Sequence, residues 1–434
     1  FRLAVSSPNS GVAKTELAVT VNRAPVCSGM TADPNTGVAL QTTFTLTVNS
    51  CFDPDEKLSD LPLTFEIWTN RSLIANGLSS NTFATNALPP GDPLVVRGYA
   101  SDWLGARSAG VEVFLNVSNP GNACIVQAYI DKDIASSARR GQFSKVLSEV
   151  TAAASVLRSG SWGCKRSNSV VDLTNRLVQA VNSSTVSLAQ SEASASAIAT
   201  VSGLVERNSS SALYIIDRLM GAIVRVIDTR PMKASNTFFS VGKSLDSLAR
   251  LSDCKRLDAV RGLVERAVAI ASRKQVIDET DKSFQFASLT ATSQGFNSAL
   301  KKSTLKPSSP LLSHLTVQIP RLHAKLAGNV QMVRFDPKIS RRCSGLEQGG
   351  GDEIVVGPFA VSVSGGEGEI VDVRGLEKPI EFRIGGRGCE GGEKCVYHHV
   401  GSGKWISDGC ETLCEGLTIL CRCTHLTETL CEGK

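Results

Sequence analysis

The sequence predicts a multidomain chain: an N-terminal all-β sandwich of fibronectin-like or immunoglobulin-like size, a central α-helical bundle, and a C-terminal disulfide-rich β-sandwich. Three observations carry this. Residues 1–120 alternate apolar and polar positions in short Val/Thr/Phe-rich runs. From residue 122 the apolar spacing changes to three and four. Eight of the 13 cysteines lie from Cys343 onward, seven of them within Cys389–Cys431.

The first region contains "ELAVTV", "TTFTLTV", "PLTFEIW", "PLVVRGYA" and "VEVFLNV", separated by Pro, Gly, Asn and Asp turns. "VNRAP" reads as a junction, so residues 1–22 form the tail of an upstream module and 23–119 a whole one. Cys27 and Cys51 are placed to bridge two early strands. Asp53, Asp55, Glu56 and Asp60 lie close together, but without the glycine and final glutamate of an EF-hand loop. A solvated loop is the simpler reading.

Residues 122–294 carry amphipathic stretches. Val171, Leu173, Leu177, Val178 and Val181 share one helical face, and so do Leu257, Val260, Val264 and Val268. "STVSLAQSEASASAIATVSG" reads either as a helix with a small-residue face or as a connection. Cys164 and Cys254 flank the bundle and could staple it. Residues 295–330 read as a polar connector with strand-like ends, and 331–434 as strands punctuated by glycine runs.

The charge is +5, with scattered Lys and Arg and 5% aromatics, so no basic aromatic stripe points to nucleic acid. Dense cysteines and Asn-x-Ser sites at Asn70, Asn116, Asn182 and Asn208 agree with an oxidising, extracellular location. No run of about 18 apolar residues occurs. Phe1 starts inside domain-like sequence, so the expectation is an internal fragment whose membrane anchor lies beyond Lys434. The odd cysteine count leaves one thiol free or paired outside the chain. No Ser/His/Asp set, paired carboxylates or phosphate loop points to a turnover enzyme, and no cofactor is implied. His314 and His323 stand alone, while the adjacent His398 and His399 read as surface residues of a strand.

The end of the chain reads "CRCTHLTETLCEGK". Zinc held by Cys410, Cys414, Cys421, Cys423 and His425 is disfavoured. In a strand, Cys421, Cys423 and His425 would be spaced by ~7 Å steps, too far apart for one tetrahedral ion. Disulfides suit a small β module better. A third reading adds chemistry. Thr427 offers a hydroxyl just after the Leu426 carbonyl, and His425 offers a base two residues upstream. That set suits an N→O acyl shift at a strained bond.

"CVYHHVGSGKWISDGCETLCEGLTILCRCTHLT", residues 395–427, resembles the GPS motif that ends the GAIN domain of adhesion-type receptors and polycystin-type proteins. The matching pieces are Cys395 with Tyr397, Trp405 in "GKW", Cys410 in "GC", Cys421-x-Cys423 and His425-Leu426-Thr427. "GLEKPIEFRI" resembles the strand preceding that motif, and helices before a sandwich match the two-part GAIN layout over roughly 122–434. "DPNTGVALQTTFTLTVNSCFDPDEKLSDLPLTFEIW" resembles the REJ (receptor for egg jelly) region of polycystin-type proteins.

The resemblance implies a scissile bond at Leu426–Thr427, with His425 as base and Thr427 as nucleophile, in a single self-cleavage. It implies pairing of Cys395 and Cys410 with Cys421 and Cys423, in either of two ways. It also implies the extracellular part of a large membrane protein, often ciliary or flagellar. Its partners would be a membrane-anchored channel or receptor subunit and an extracellular protein or glycan ligand. Three departures stand out: the polar "TETLCEGK" where an apolar strand normally follows, Tyr397 where Trp is common, and the additional Cys389, Cys414 and Cys431. The alternative is a non-cleaving structural or anchoring protein of an extracellular or flagellar assembly.

Overall fold

The computed structural model describes residues 2–7, 11–16, 21–55, 62–69, 72–122, 124–159, 166–183, 188–206, 209, 211–229, 235–272, 282–286, 288–296, 302–305, 315–320, 328–336, 353–365, 370–371, 378–385, 394–399, 404–424 and 428–433. The chain divides into two units, Phe1–Pro120 and Gly121–Lys434.

The first unit opens with a hairpin of β1 (Arg2–Ser7) and β2 (Gly11–Glu16), which pair with each other. "ELAVTV" falls mostly beyond β2, outside the described residues. Eight strands follow: β3 (Gly29–Asp33), β4 (Thr36–Val38), β5 (Phe44–Asn49), β6 (Thr64–Thr69), β7 (Ser72–Leu78), β8 (Thr82–Thr85), β9 (Gly91–Ser101) and β10 (Val111–Ser118). They form one sheet in the order β4-β10-β9-β6-β7 and another in the order β3-β5-β8. Period-two alternation builds the core. Phe44, Leu46 and Val48 of β5 and Leu94, Val96 and Ala100 of β9 are all buried. The sheets meet closely at Gly98, where a Cβ would come within 2.5 Å of Val48. The junction residues are anchored as well: Asn22 donates to Asp102 at 2.7 Å, and the Arg23 guanidinium meets Asp55 at 2.8 Å.

The second unit begins with α1 (Cys124–Tyr129), a π-helical turn at Ile130–Ile134, and α2 (Ala135–Arg139). Then come α3 (Phe143–Ser159), α4 (Arg166–Ser183), α5 (Leu188–Ser202), α6 (Ala212–Thr229), α7 (Ser235–Leu251) and α8 (Cys254–Ala271). The expected stripes face inward: Leu173, Leu177, Val178 and Val181 on α4 and Val260, Val264 and Val268 on α8 are buried, while Val171 is half-buried. Residues 188–202 of the low-complexity run form helix α5, packed against α3, α4, α6 and α7. Its Ala193, Ala195, Ala197 and Ala199 and its Ser191, Ser194, Ser196 and Ser202 are all buried. Small side chains let neighbouring helices approach from several sides, which explains the absence of a polar face. Asp253 caps α8, accepting from the Arg256 backbone N–H at 2.9 Å.

The helical layer ends at Ala271 rather than near 294, because β11 (Lys282–Gln285) and β12 (Leu289–Phe296) already belong to a sheet. β12 reads "LTATSQGF", and its Thr and Ser alternation hid it. Residues 295–330 are likewise more than a connector: β13 (Lys302–Leu305) and β14 (Leu315–Pro320) start the second sheet, and β15 (Gly328–Phe335) begins inside that range. The rest are β16 (Glu353–Gly365), β17 (Ile370–Val371), β18 (Ile380–Gly385), β19 (Lys394–His399), β20 (Lys404–Ile406), β21 (Cys410–Glu415), β22 (Thr418–Cys423) and β23 (Glu428–Gly433). One sheet runs β11-β12-β15-β16-β23-β19-β20, with β17 on β16, and the other runs β13-β14-β18-β22-β21.

Helix α8 lies against β11, β12, β15 and β17. A clasp from α7 helps to join helices to strands. Buried Asp246 accepts the Ser288 backbone N–H at 2.8 Å, and Phe239 meets the Phe286 ring at 5.0 Å. Burial pushes the Asp246 carboxyl up, against the opposing pull of Ser288 and Arg250.

Candidate functional site: the terminal strands and their disulfides

β18 alternates strictly, with Ile380, Phe382 and Ile384 buried. Beside it, β22 buries Ile419, Leu420, Cys421 and Cys423. β21 and β22 form a hairpin whose turn contains Gly416 at φ 61°. Outward, Arg422 meets Glu381 at 3.4 Å and Glu411 at 3.7 Å, and Arg383 meets Glu415 at 3.5 Å. Such partly exposed pairs set strand register more than stability.

Register decides the disulfides. Cys410 lies directly opposite Cys423 and is bonded to it, closing the hairpin within one sheet. Cys395, on β19 of the other sheet, is bonded to Cys421. The first bridge joins neighbouring strands and the second joins the two sheets. Their sulfurs are therefore not thiolates available to a metal. The buried Cys395 backbone N–H donates to Thr412 Oγ1 at 2.8 Å, a second link between the sheets. Cys124 and Cys414 are each in a disulfide as well. Cys27 is bonded to Cys51, beside the Val26–Phe52 bridge.

Beyond β22 the hairpin pairing continues by one residue. The Thr424 N–H donates to the Gly409 carbonyl at 3.0 Å. Gly409 has φ 78°, a conformation that favours glycine. His425, Leu426 and Thr427 lie outside the described residues. At Glu428 the chain is in the other sheet, as β23, between β16 and β19. Ala360 pairs with Glu428, Phe359 and Tyr397 with Thr429, Val396 with Leu430, and Cys395 with Cys431. The final strand is thus held by backbone pairing on both sides. Between the described Thr424 and Glu428 the chain passes from one sheet to the other, and the Cys395–Cys421 disulfide ties those sheets together. Thr412 and Gly409 were not singled out from sequence. The only local signal was the "DGCET" turn beside a motif cysteine.

The other sequence candidates are dispersed. Asn116 is exposed on β10 and Asn182 near the end of α4, while Asn70, Asn208 and Cys164 lie outside the described residues. Cys254 heads α8, but its side chain lies outside them. The backbones of His398 and His399 belong to β19, and His314 and His323 fall outside the described residues. Near Asp53, the Asp55 carboxyl is held below its ordinary range first by the Arg23 backbone N–H and then by the guanidinium. Glu56 and Asp60 lie outside the described residues. Among those described, no cluster of three or more His, Cys, Asp or Glu could hold a metal ion. No described helix is long and apolar enough to cross a membrane.

Comparison with known proteins gives a family match over the C-terminal region. Curated protein sequences gave no match. Among solved structures, the full extracellular region of zebrafish Gpr126/Adgrg6 aligns at TM-score 0.40 and 15% identity, covering 57% of this chain and 35% of that one. This chain therefore spans about a third of that structure. Residues 266–428 match the family described as GPS: GAIN subdomain B, from within α8 to the first residue of β23.

Proposed function

We propose that the chain is part of the extracellular portion of a polycystin-like cell-surface protein that cuts itself once, between Leu426 and Thr427. The observation that carries this reading is the passage from Cys423 to Glu428. The chain leaves one sheet and enters the other within five residue steps (428 − 423), while Cys395–Cys421 ties those sheets together. A short span between fixed ends is where a distorted peptide bond can be held.

In the proposed chemistry, His425 takes the Thr427 hydroxyl proton, and Oγ1 attacks the Leu426 carbonyl carbon. The tetrahedral species collapses with loss of the Leu426–Thr427 amide bond. The proton passes to the new Thr427 amine, and an ester remains. Water then opens the ester, giving a Leu426 carboxylate and restoring the threonine hydroxyl. This is a single event in cis rather than turnover. The piece from Thr427 onward remains in place, because β23 keeps its ladders to β16 and β19.

The wider role is adhesion, sensing of ligand or mechanical load, or assembly with a membrane-anchored channel or receptor subunit. An extracellular protein or glycan would be the ligand, and the ciliary or flagellar membrane the setting. The REJ-like reading of residues 23–119 supports the polycystin branch. A non-cleaving anchor is the second reading, favoured by the polar "TETLCEGK" strand and by Cys431 in it.

A reducing gel of the secreted protein separates the two. Self-cleavage gives a short C-terminal piece that Thr427→Val abolishes. A single full-length band from folded wild-type protein leaves the anchor reading.

A further inference from the structure

Strand β10 leaves a large ring in water. Its Leu115 and Val117 face the core, at 0% and 2% exposure. Phe114 and Asn116 lie on the opposite face, and Phe114 is 60% exposed. On β9, Phe114 pairs with the half-buried Val95. On its other side, β4 begins at Thr36, opposite Asn116, so no β4 residue flanks Phe114.

Asn116 opens the sequence Asn-Val-Ser and is itself exposed. The strand pairing uses its neighbours and its backbone. The Asn116 N–H donates to the Asn35 carbonyl at 3.0 Å, and Ser118 Oγ donates to the Gly37 carbonyl at 3.1 Å. No hydrogen bond from the Asn116 side-chain amide is seen among the described residues. Residues two apart on a strand share a face at ~7 Å spacing, so an attachment at Asn116 stands beside the Phe114 ring.

We propose that Asn116 carries an N-linked glycan whose first N-acetylglucosamine stacks on the ring of Phe114. The sugar's axial C–H bonds form an apolar face, and an aromatic ring offers the complementary electron-rich face. The donor is an oligosaccharide activated as a lipid pyrophosphate, supplied in the secretory pathway. Asn116 Nδ2 forms a bond to the anomeric carbon as the carbon–phosphate oxygen bond breaks. One amide proton passes to the transferase, and the lipid pyrophosphate leaves. No oxidant or reductant is involved. Asn182 provides the contrast: it is exposed near the end of α4, but the residue two before it is buried Ala180.

This proposal rests on the extracellular reading, and the test separates the two. The whole chain is secreted from eukaryotic cells, and occupancy is mapped on peptides. The expected result is sugar at Asn116, lost in both Asn116→Gln and Ser118→Ala. The glycan is then trimmed to one N-acetylglucosamine, and melting is compared for wild type and Phe114→Ala, with and without the sugar. The sugar should raise the wild-type midpoint by a few degrees and lose most of that gain in Phe114→Ala. The bare proteins should differ little. An empty Asn116 beside an occupied Asn182 overturns the proposal and leaves the extracellular reading standing. No sugar at either site also overturns the proposal, while failure of the chain to be secreted counts against the extracellular reading. An equal gain with and without the ring overturns the stacking.

Discussion

Helix α5 and strand β22 are both central elements, packed on more than one side, yet they are held by opposite means. α5 is lined by alanines and serines, and its neighbours approach because nothing large stands between them. β22 lies in a smaller layer and carries two buried half-cystines, one bonded within its sheet and one across to the other. The helical layer has enough apolar area to be stable through shape. The terminal sheets carry a segment proposed to hold strain, and covalent bridges resist strain where packing would yield. The comparison teaches that volume should be the sensitive variable in the first region and bridging in the second.

The sharpest break of the helical side is Leu173→Ala. The side chain is fully buried, so removing it should cost about 2–5 kcal/mol by denaturant unfolding. The corresponding break of the terminal side is Cys395→Ser with Cys421→Ser, which should cost about 2–4 kcal/mol. It should also loosen hydrogen exchange in β19 and β23 while leaving α5 unchanged. Cys410→Ser with Cys423→Ser removes a bridge that closes a shorter loop, with a separation of 13 against 26, and should cost less. Equal loosening of both regions by either pair would erase the distinction.

These residues also show what the sequence could and could not disclose. The stripes of α4 and α8 were legible because Leu and Val recur at helical spacing on one face. α5 was ambiguous because alanine and serine surround it, so periodicity had nothing to mark. β12 was missed because its Thr and Ser alternation reads as loop until neighbouring strands bury it. The motif cysteines were legible as a set but not as pairs. Only the register placing Cys410 opposite Cys423, with Cys395 in the other sheet, selects the pairing. The buried carboxyl of Glu149 on α3 could not be foreseen, since its burial depends on how α2 and α3 meet.

Glu149 offers the next test. It is 1% exposed; Ser137 donates to one oxygen at 3.0 Å, Lys145 lies 3.7 Å away, and the other oxygen has no hydrogen-bond partner. Burial raises its pKa to about 7, against the lowering effects of Ser137 and Lys145. A raised carboxyl pKa means that the folded state binds the proton more tightly than the unfolded chain does. The stabilisation is therefore complete below the unfolded value of about 4.3 and is lost as pH rises through about 7. The loss should reach about 3–4 kcal/mol, and Glu149→Gln should flatten it. Disulfide replacements in the terminal region should leave that pH profile in place.

A smaller effect sharpens the volume side. Ala195→Leu adds bulk where α5 has no room, and should cost about 1–3 kcal/mol in thermal or denaturant unfolding. An Ala195→Leu protein as stable as wild type would show that α5 is not closely packed.

The most direct measurement weighs the purified protein twice, first under native conditions and then denatured and reduced. The account predicts one native mass that separates into two chains. The smaller should begin at Thr427, and the two together should exceed the uncut chain by one water. A single chain of the uncut mass in the denatured, reduced sample would contradict it.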